Sequence, residues 1–138
     1  MSPKNIKINQ KIKDALDNKK SVVALESTLI SHGLPYPENI KVANESIKAV
    51  EESGSVAATI GIINGEIIIG LNENEIELLA TSKNVEKVSL HNIAISLFHK
   101  HNAATTVATT INIASKIGIK FFATGGIGGV HLGSENNS

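Results

Sequence analysis

A glycine-rich segment is the part of this sequence whose residue types most clearly suggest chemistry. From Phe121 to Gly133 the chain reads FFATGGIGGVHLG, an apolar run that passes into closely spaced glycines and a histidine. Glycine lacks a Cβ, so backbone amides in such a loop can approach an anion closely. The possible phosphate loop consists of Gly125, Gly126, Gly128, Gly129 and His131. A glycine turn needed only for backbone geometry is an equally valid interpretation.

Two charged side chains and a threonine run are further candidates. Glu26 follows the apolar run Val22–Leu25 and stands among hydroxyl residues, where a carboxyl could act as a general acid or could simply be solvated. Lys87 in a short predicted strand could contact a phosphate or lie free in solvent. The threonines within residues 105–110 could bind an anion near a helix start, or cap and pack that helix.

Several common site types are excluded or poorly supported. The glycine spacing does not match G-x-G-x-x-G, because His131 stands where the third glycine should fall, and no Walker lysine follows. The only aspartates are Asp14 and Asp17, far along the chain from the glycine loop, so the sequence predicts no metal ligands. The chain has no cysteine, which excludes thiolate nucleophiles and disulfides.

Size and composition indicate one globular domain. The 138 residues are 41% hydrophobic and 19% charged, and the formal net charge is zero. Nothing in this balance favours a nucleic-acid polymer or an anionic membrane surface as partner. No apolar run approaches the roughly 20 residues that a membrane span needs, so we expect a cytoplasmic protein.

The elements that position these residues alternate between strands and helices. Apolar spacing predicts helices over residues 8–20, 37–53, 92–100 and 103–116, with a short helix capped by Asn72 and Glu75. Strands are predicted over residues 22–25, 85–89 and 119–123, and Asn64-Gly65 predicts a hairpin between residues 56–63 and 66–71. The fold class is therefore α/β, a layered sandwich with a mixed, mostly parallel sheet and one β-hairpin.

Four segments in register resemble one enzyme family. They are ALESTLISHGLPYPEN at residues 24–39, KVS at 87–89, ATTVATT at 104–110 and FATGGIGGVH at 122–131. In order and spacing they resemble pseudouridine-5'-phosphate glycosidase from about Val22 to Gly133. This family reversibly cleaves the carbon–carbon bond of pseudouridine 5'-phosphate to give uracil and ribose 5-phosphate, usually with manganese, and forms trimers.

The resemblance implies a role for three residues of this chain. Glu26 corresponds to the proton donor, and Lys87 and Val107 correspond to substrate contacts, Val107 through its backbone. The family's metal-binding aspartate and imine-forming lysine correspond to positions beyond Ser138. We therefore expect residues 1–138 to form a single, incomplete, C-terminally truncated domain that is inactive alone. The alternatives are a non-catalytic sugar-phosphate-binding module and one half of a split enzyme.

Overall fold

The structure is a computed structural model that describes residues 5–125. Within this range the strands are β1 (Ile6–Ile8), β2 (Val22–Leu25), β3 (Val56–Ile63), β4 (Glu66–Ile69), β5 (Glu86–Val88), β6 (Ala103–Thr105) and β7 (Phe121–Ala123). The helices are α1 (Gln10–Asp17), α2 (Glu38–Glu52), α3 (Glu73–Thr81), α4 (Ile93–Phe98) and α5 (Val107–Lys116). A π-helical turn, Leu29–Gly33, follows β2.

The strands form one mixed sheet around the long strand β3. The main path runs β1-β4-β3-β2-β7, and β6 also pairs with β3 while β5 pairs with β6. Strand pairs β1–β4, β2–β3, β2–β7 and β5–β6 are parallel, whereas β3–β4 and β3–β6 are antiparallel. The predicted α/β class, with a mostly parallel sheet and a hairpin, is confirmed.

Two apolar cores cover the two faces of the sheet. The larger core joins Ile60 and Ile62 of β3 to buried residues of α1, α4 and α5. The smaller core joins Ile68 of β4 to Ala43 of α2 and to Ile76 and Leu79 of α3. Alternate residues of a strand point to opposite faces, so the isoleucine-rich strands bury both faces and give three layers.

Local signals in the sequence explain the hairpin and one helix start. Asn64 and Gly65 both have positive φ, 49° and 76°, which a two-residue hairpin turn requires. Asn72 accepts a hydrogen bond from the Glu75 amide, and the Glu75 carboxylate accepts one from the Asn72 amide, at 2.8 and 2.9 Å. This reciprocal pair starts α3 as the sequence predicted.

Two predicted helices were too long. Residues 103–105 form β6, and α5 starts only at Val107, because Thr106 caps the helix and the preceding residues pair with Gly61 and Ile62 of β3. Residues 6–8 form β1 against β4, and α1 starts at Gln10 after the cap Asn9. In both cases long-range strand pairing overrides the local helical pattern.

Strands β2 and β6 meet end to end along β3. Strand β2 pairs in parallel with residues 56–59 of β3, and β6 pairs antiparallel with Gly61 and Ile62. The two strands run toward each other, so their carboxyl ends meet beside residues 59–61. The segments that follow β2 and β6 are therefore brought together, although they are far apart in the chain.

Candidate active site

Glu26 lies directly after β2 and lines a cavity between α2 and the sheet. The cavity has a volume of about 340 Å³. Its walls are mostly aliphatic, and Glu26 is the one ionisable side chain among the described residues that line it. They are Leu25, Glu26, Leu29, Ile30, Ala43, Ser46, Ala49, Val50, Thr59, Ala123, Thr124 and Gly125. The half-buried carboxyl thus faces space large enough for a small molecule.

Strand β7 supplies a hydrogen-bond partner that orients this carboxyl. Leu25 pairs in register with Ala123, so the residues that follow, Glu26 and Thr124, leave the sheet side by side. The Thr124 hydroxyl donates to Glu26 Oε1 at 2.6 Å. Sequence reasoning missed Thr124. Its position one residue past an apolar strand was the available signal.

Lys87 lies in β5 and is exposed. It pairs in register with Ala104 of β6, and within residues 5–125 its ammonium forms no ion pair. Lys87 does not line the cavity beside Glu26. An exposed ammonium without an ion pair among the described residues can attract an anion, since lysine acts as a mobile point charge.

Val107 is the first residue of α5 and half-buried. It does not line the cavity beside Glu26 either. The threonines around Val107 have structural roles. Thr106 caps the helix, and Thr105, Thr109 and Thr110 are fully buried. Thr109 donates to the Val88 carbonyl at 3.0 Å, which fixes α5 against β5. The capping and packing interpretation of this run therefore holds for these hydroxyls.

A pair of buried hydroxyl residues connects the two halves of the candidate site. Ser27, next to Glu26, accepts a hydrogen bond from the Thr105 amide at 2.8 Å. Thr28 donates to the Thr105 carbonyl, also at 2.8 Å. These contacts fasten the segment that carries Glu26 to Thr105, which lies two positions before Val107 in the chain. Lys87 pairs with Ala104, the residue before Thr105. Sequence reasoning noted these hydroxyls but did not predict that they bind each other.

The glycine loop and metal site can be placed only in part. Gly125 lines the cavity beside Glu26, whereas Gly126, Gly128, Gly129 and His131 lie outside the described residues. Between residues 5 and 125, no three histidine or carboxylate side chains converge to hold a metal ion.

A second polar cluster, away from the cavity, ties β5 to α4 and β6. The Glu86 carboxylate accepts from the Ser96 hydroxyl at 2.7 Å and contacts His101 Nδ1 at 2.9 Å. The Ser96 hydrogen bond, followed by the contact with His101, lowers the pKa of Glu86 below its usual value. His99 stacks on His101 with ring centroids 5.5 Å apart. This cluster anchors the strand that carries Lys87.

Comparison with known proteins decides the family. Residues 11–138 match the family described as indigoidine synthase A like protein. The chain belongs to the indigoidine synthase A-like family. Relatives in this family include the pseudouridine-5'-phosphate glycosidase of Caldanaerobacter subterraneus subsp. tengcongensis, 52% identical over 130 residues, which are 94% of this chain and 42% of the relative. The enzyme of the same name from Escherichia coli K12 is 50% identical over 137 residues, 99% of this chain and 44% of the relative.

Solved structures of the indigoidine synthase A-like family share the fold. The prealnumycin C-glycosynthase AlnA, solved in complex with ribulose 5-phosphate, superposes with a TM-score of 0.84 at 39% identity. That match covers 99% of this chain and 44% of AlnA. An indigoidine synthase A-like protein from Thermotoga maritima superposes with a TM-score of 0.79 at 36% identity, over 93% of this chain and 41% of the other. This chain spans less than half the length of these relatives.

The predicted resemblance to pseudouridine-5'-phosphate glycosidase is confirmed by these relatives. The family is one of enzymes, as the names of its curated members state. Among residues 5–125 no helix is both long and apolar enough to cross a lipid bilayer. The trimer, the cytoplasmic location and the individual roles of Glu26, Lys87 and Val107 stay predictions.

Proposed function

We propose that this chain carries the proton-donating part of a pseudouridine-5'-phosphate glycosidase, which reversibly forms uracil and ribose 5-phosphate. The observation that carries the proposal is the position of Glu26. Its carboxyl follows a central strand, lines a cavity of about 340 Å³ and accepts a hydrogen bond from Thr124. Relatives about half identical to this chain bear the name of this activity.

The geometry suits a general acid that delivers a proton to carbon. In cleavage, the bond between the ribose carbon and the uracil carbon breaks, and its electron pair and the proton of the Glu26 carboxyl go to the uracil carbon. Water supplies the oxygen that the ribose carbon gains when it becomes the aldehyde carbon of ribose 5-phosphate. Because Thr124 donates to Oε1, the other oxygen, Oε2, is the one left to carry the transferred proton. In the synthetic direction the carboxylate takes the proton back. The aliphatic walls of the cavity limit competing water.

The sugar phosphate is proposed to lie on the β5 and β6 side of the site. Lys87 provides an ammonium that forms no ion pair within residues 5–125. Val107 begins α5, whose first amides have no partner in the helix backbone, although the Thr106 side chain caps the amide of Thr109. Support for a sugar-phosphate ligand comes from the structural neighbour AlnA, which was solved with ribulose 5-phosphate. Gly125 and the glycines after it are proposed to complete the phosphate site.

A requirement for manganese is proposed only because the resemblance to the glycosidase family implies it. The described residues contain no convergent set of three possible ligands, so none of them is assigned to the metal. No proton-transfer step above depends on it. The resemblance likewise assigns the imine-forming lysine of the family to no residue of the four matching segments. We therefore propose that the 138-residue chain alone does not turn over.

A hybrid enzyme tests the role of Glu26. Residues 1–138 would replace the matching segment of the Escherichia coli relative, with which they share 50% identity. Formation of pseudouridine 5'-phosphate from uracil and ribose 5-phosphate would be followed by chromatography with manganese present. We expect turnover by the hybrid and a loss of about 10²–10⁴-fold in kcat for Glu26→Gln.

The control is Glu45→Gln, since Glu45 is exposed on α2 and does not line the cavity. It should leave kcat unchanged. Full turnover by the Glu26→Gln hybrid would refute the assignment of the proton donor. Metal-dependent turnover by the 138-residue chain alone would refute the inactive-fragment proposal. Binding of ribose 5-phosphate without turnover, lost on Lys87→Ala, would favour a binding module instead.

A further inference from the structure

Buried hydrogen bonds between Ser27, Thr28 and Thr105 join the ends of β2 and β6, and we call this set of contacts the hydroxyl clamp. Ser27 and Thr105 are fully buried, at 0% exposure, and they lie 78 positions apart in the chain. The Thr105 amide donates to Ser27 Oγ at 2.8 Å, and the Thr28 hydroxyl donates to the Thr105 carbonyl at 2.8 Å. Residues 27 and 28 therefore bind both main-chain groups of Thr105.

The protons in this cluster can be assigned from chemistry alone. Thr105 Oγ1 lies 2.9 Å from the Ile60 carbonyl, which can only accept, so the Thr105 hydroxyl donates to it. Thr105 Oγ1 also lies 2.8 Å from Thr110 Oγ1, which can donate to it. With its own proton on the Ile60 carbonyl, Thr105 Oγ1 accepts from Ser27 Oγ, 3.4 Å away, in a weaker contact. Each residue thus gives one hydrogen bond to the other and receives one. A buried network with every member paired is rigid.

The clamp occupies the junction where β2 and β6 meet. Neither strand pairs in register with Ile60 of β3, so its carbonyl is left to the Thr105 hydroxyl. The neighbouring Gly61 makes room, because a Cβ there would lie 3.3 Å from Ser27 Oγ. Where the two strand ends converge, hydrogen bonds from side-chain hydroxyls therefore take the place of the backbone hydrogen bonds of the sheet.

We propose that Ser27 and Thr105 are positioning residues that set Glu26 against the segment that binds the sugar phosphate. The inference rests on the proposed function. Glu26 directly precedes Ser27, Val107 follows Thr105 by two residues, and Lys87 pairs with Ala104. Loss of the clamp frees the acid to shift relative to bound substrate, and a misplacement of about 1 Å can cost on the order of 10²-fold in rate.

Hydrogen exchange on the 138-residue chain tests the clamp directly. Ser27→Ala removes the acceptor of the Thr105 amide, so that amide should exchange at least about 10-fold faster, since the rate follows the opening free energy. Thr105→Ser keeps the hydroxyl and should retain protection of that amide. The control Ser96→Ala also removes a buried serine hydroxyl, but that hydroxyl binds Glu86 and does not join the two strand ends. It should leave the Thr105 amide protected.

Kinetics of the hybrid enzyme test the positioning role. Ser27→Ala and Thr105→Val should lower kcat by about 10- to 100-fold with KM changed less than about threefold, because the phosphate contacts remain. Thr105→Ser should restore most of kcat. Unchanged exchange at Thr105 in Ser27→Ala would refute the clamp. A kcat for Ser27→Ala equal to that of the unmutated hybrid would refute the positioning role.

The exchange experiment and the kinetic experiment together distinguish failure of this inference from failure of the proposed function. An inactive unmutated hybrid, or one indifferent to Glu26→Gln, would count against the proposed function. It would overturn the positioning role as well, because that role has no meaning without the acid. The exchange result would still confirm or refute the hydroxyl clamp itself.

Discussion

Gly65 at the tip of the β3–β4 hairpin should be far less tolerant of a side chain than another glycine of similar backbone conformation. Its φ is +76°, and a Cβ built on it would lie 2.7 Å from Lys100 Cα and 2.8 Å from the Leu97 carbonyl oxygen. Its amide donates to the His101 carbonyl at 2.9 Å. The hairpin tip is thus docked on the segment that leads into β6, and both obstructing atoms belong to the backbone.

Gly54, which follows α2, provides the matched comparison. Its φ is +91°, but a Cβ there would meet nothing within 4 Å. The left-handed conformation alone costs an alanine about 1–2 kcal/mol at either position. Overpacking against atoms that cannot move aside adds about 1–3 kcal/mol at Gly65 only. We therefore expect Gly65→Ala to lose about 2–5 kcal/mol and Gly54→Ala about 1–2 kcal/mol.

Urea unfolding of the two variants and the unmutated chain would measure the difference. With a urea slope of about 1–3 kcal/mol per molar, the two midpoints should differ by on the order of 1 M. Failure of Gly65→Ala to fold, beside a folded Gly54→Ala, would agree with the same reasoning. Equal midpoints would show that the hairpin tip moves away from residues 97–100 at no cost, and would refute it.

Two other elements give independent predictions. The Ser96 and His101 contacts lower the pKa of Glu86 in the folded state, so its stabilising contribution is complete above the unfolded pKa and is lost as pH falls through the folded value. Glu86→Gln should therefore reduce the loss of stability as the pH falls below the ordinary glutamate pKa, measured by urea unfolding, and an unchanged pH slope would contradict this. Asn72→Ala removes the capping pair with Glu75 and should cost about 0.5–2 kcal/mol in the same assay, whereas a cost indistinguishable from zero would show that the cap is unimportant.

Local sequence signals predicted those elements whose geometry is decided locally. Asn64-Gly65 favours positive φ at two successive residues, and that preference fixes the hairpin whatever its surroundings. Asn72 and Glu75 satisfy each other's amides within one turn of helix. The position of Glu26 after β2 also followed from the apolar run before it. In each case the determining contacts lie within a few residues.

The elements that were missed depend on distant partners. Ala103–Thr105 is three residues long and leads directly into α5, so no local pattern separates it from the helix. Its strand conformation comes from antiparallel pairing with β3, about 40 residues earlier in the chain. The Ser27–Thr105 clamp depends on that pairing. The sequence alone therefore could not show whether the hydroxyls of Ser27 and of the threonines in residues 105–110 bind a ligand or bind other groups of the protein.

The short lengths of β2 and β6 are what make this site possible. In a parallel sheet the carboxyl ends of the strands all lie at one edge, but β6 runs opposite to β2, so their carboxyl ends meet only because both strands end near the middle of β3. Strand β3 has eight residues, while β2 has four and β6 has three. One long strand thus accommodates two short ones end to end, and their carboxyl ends meet at its middle. An added residue in either short strand would push the two ends into each other, so the separation between Glu26 and Val107 is set by strand length as well as by the hydroxyl clamp.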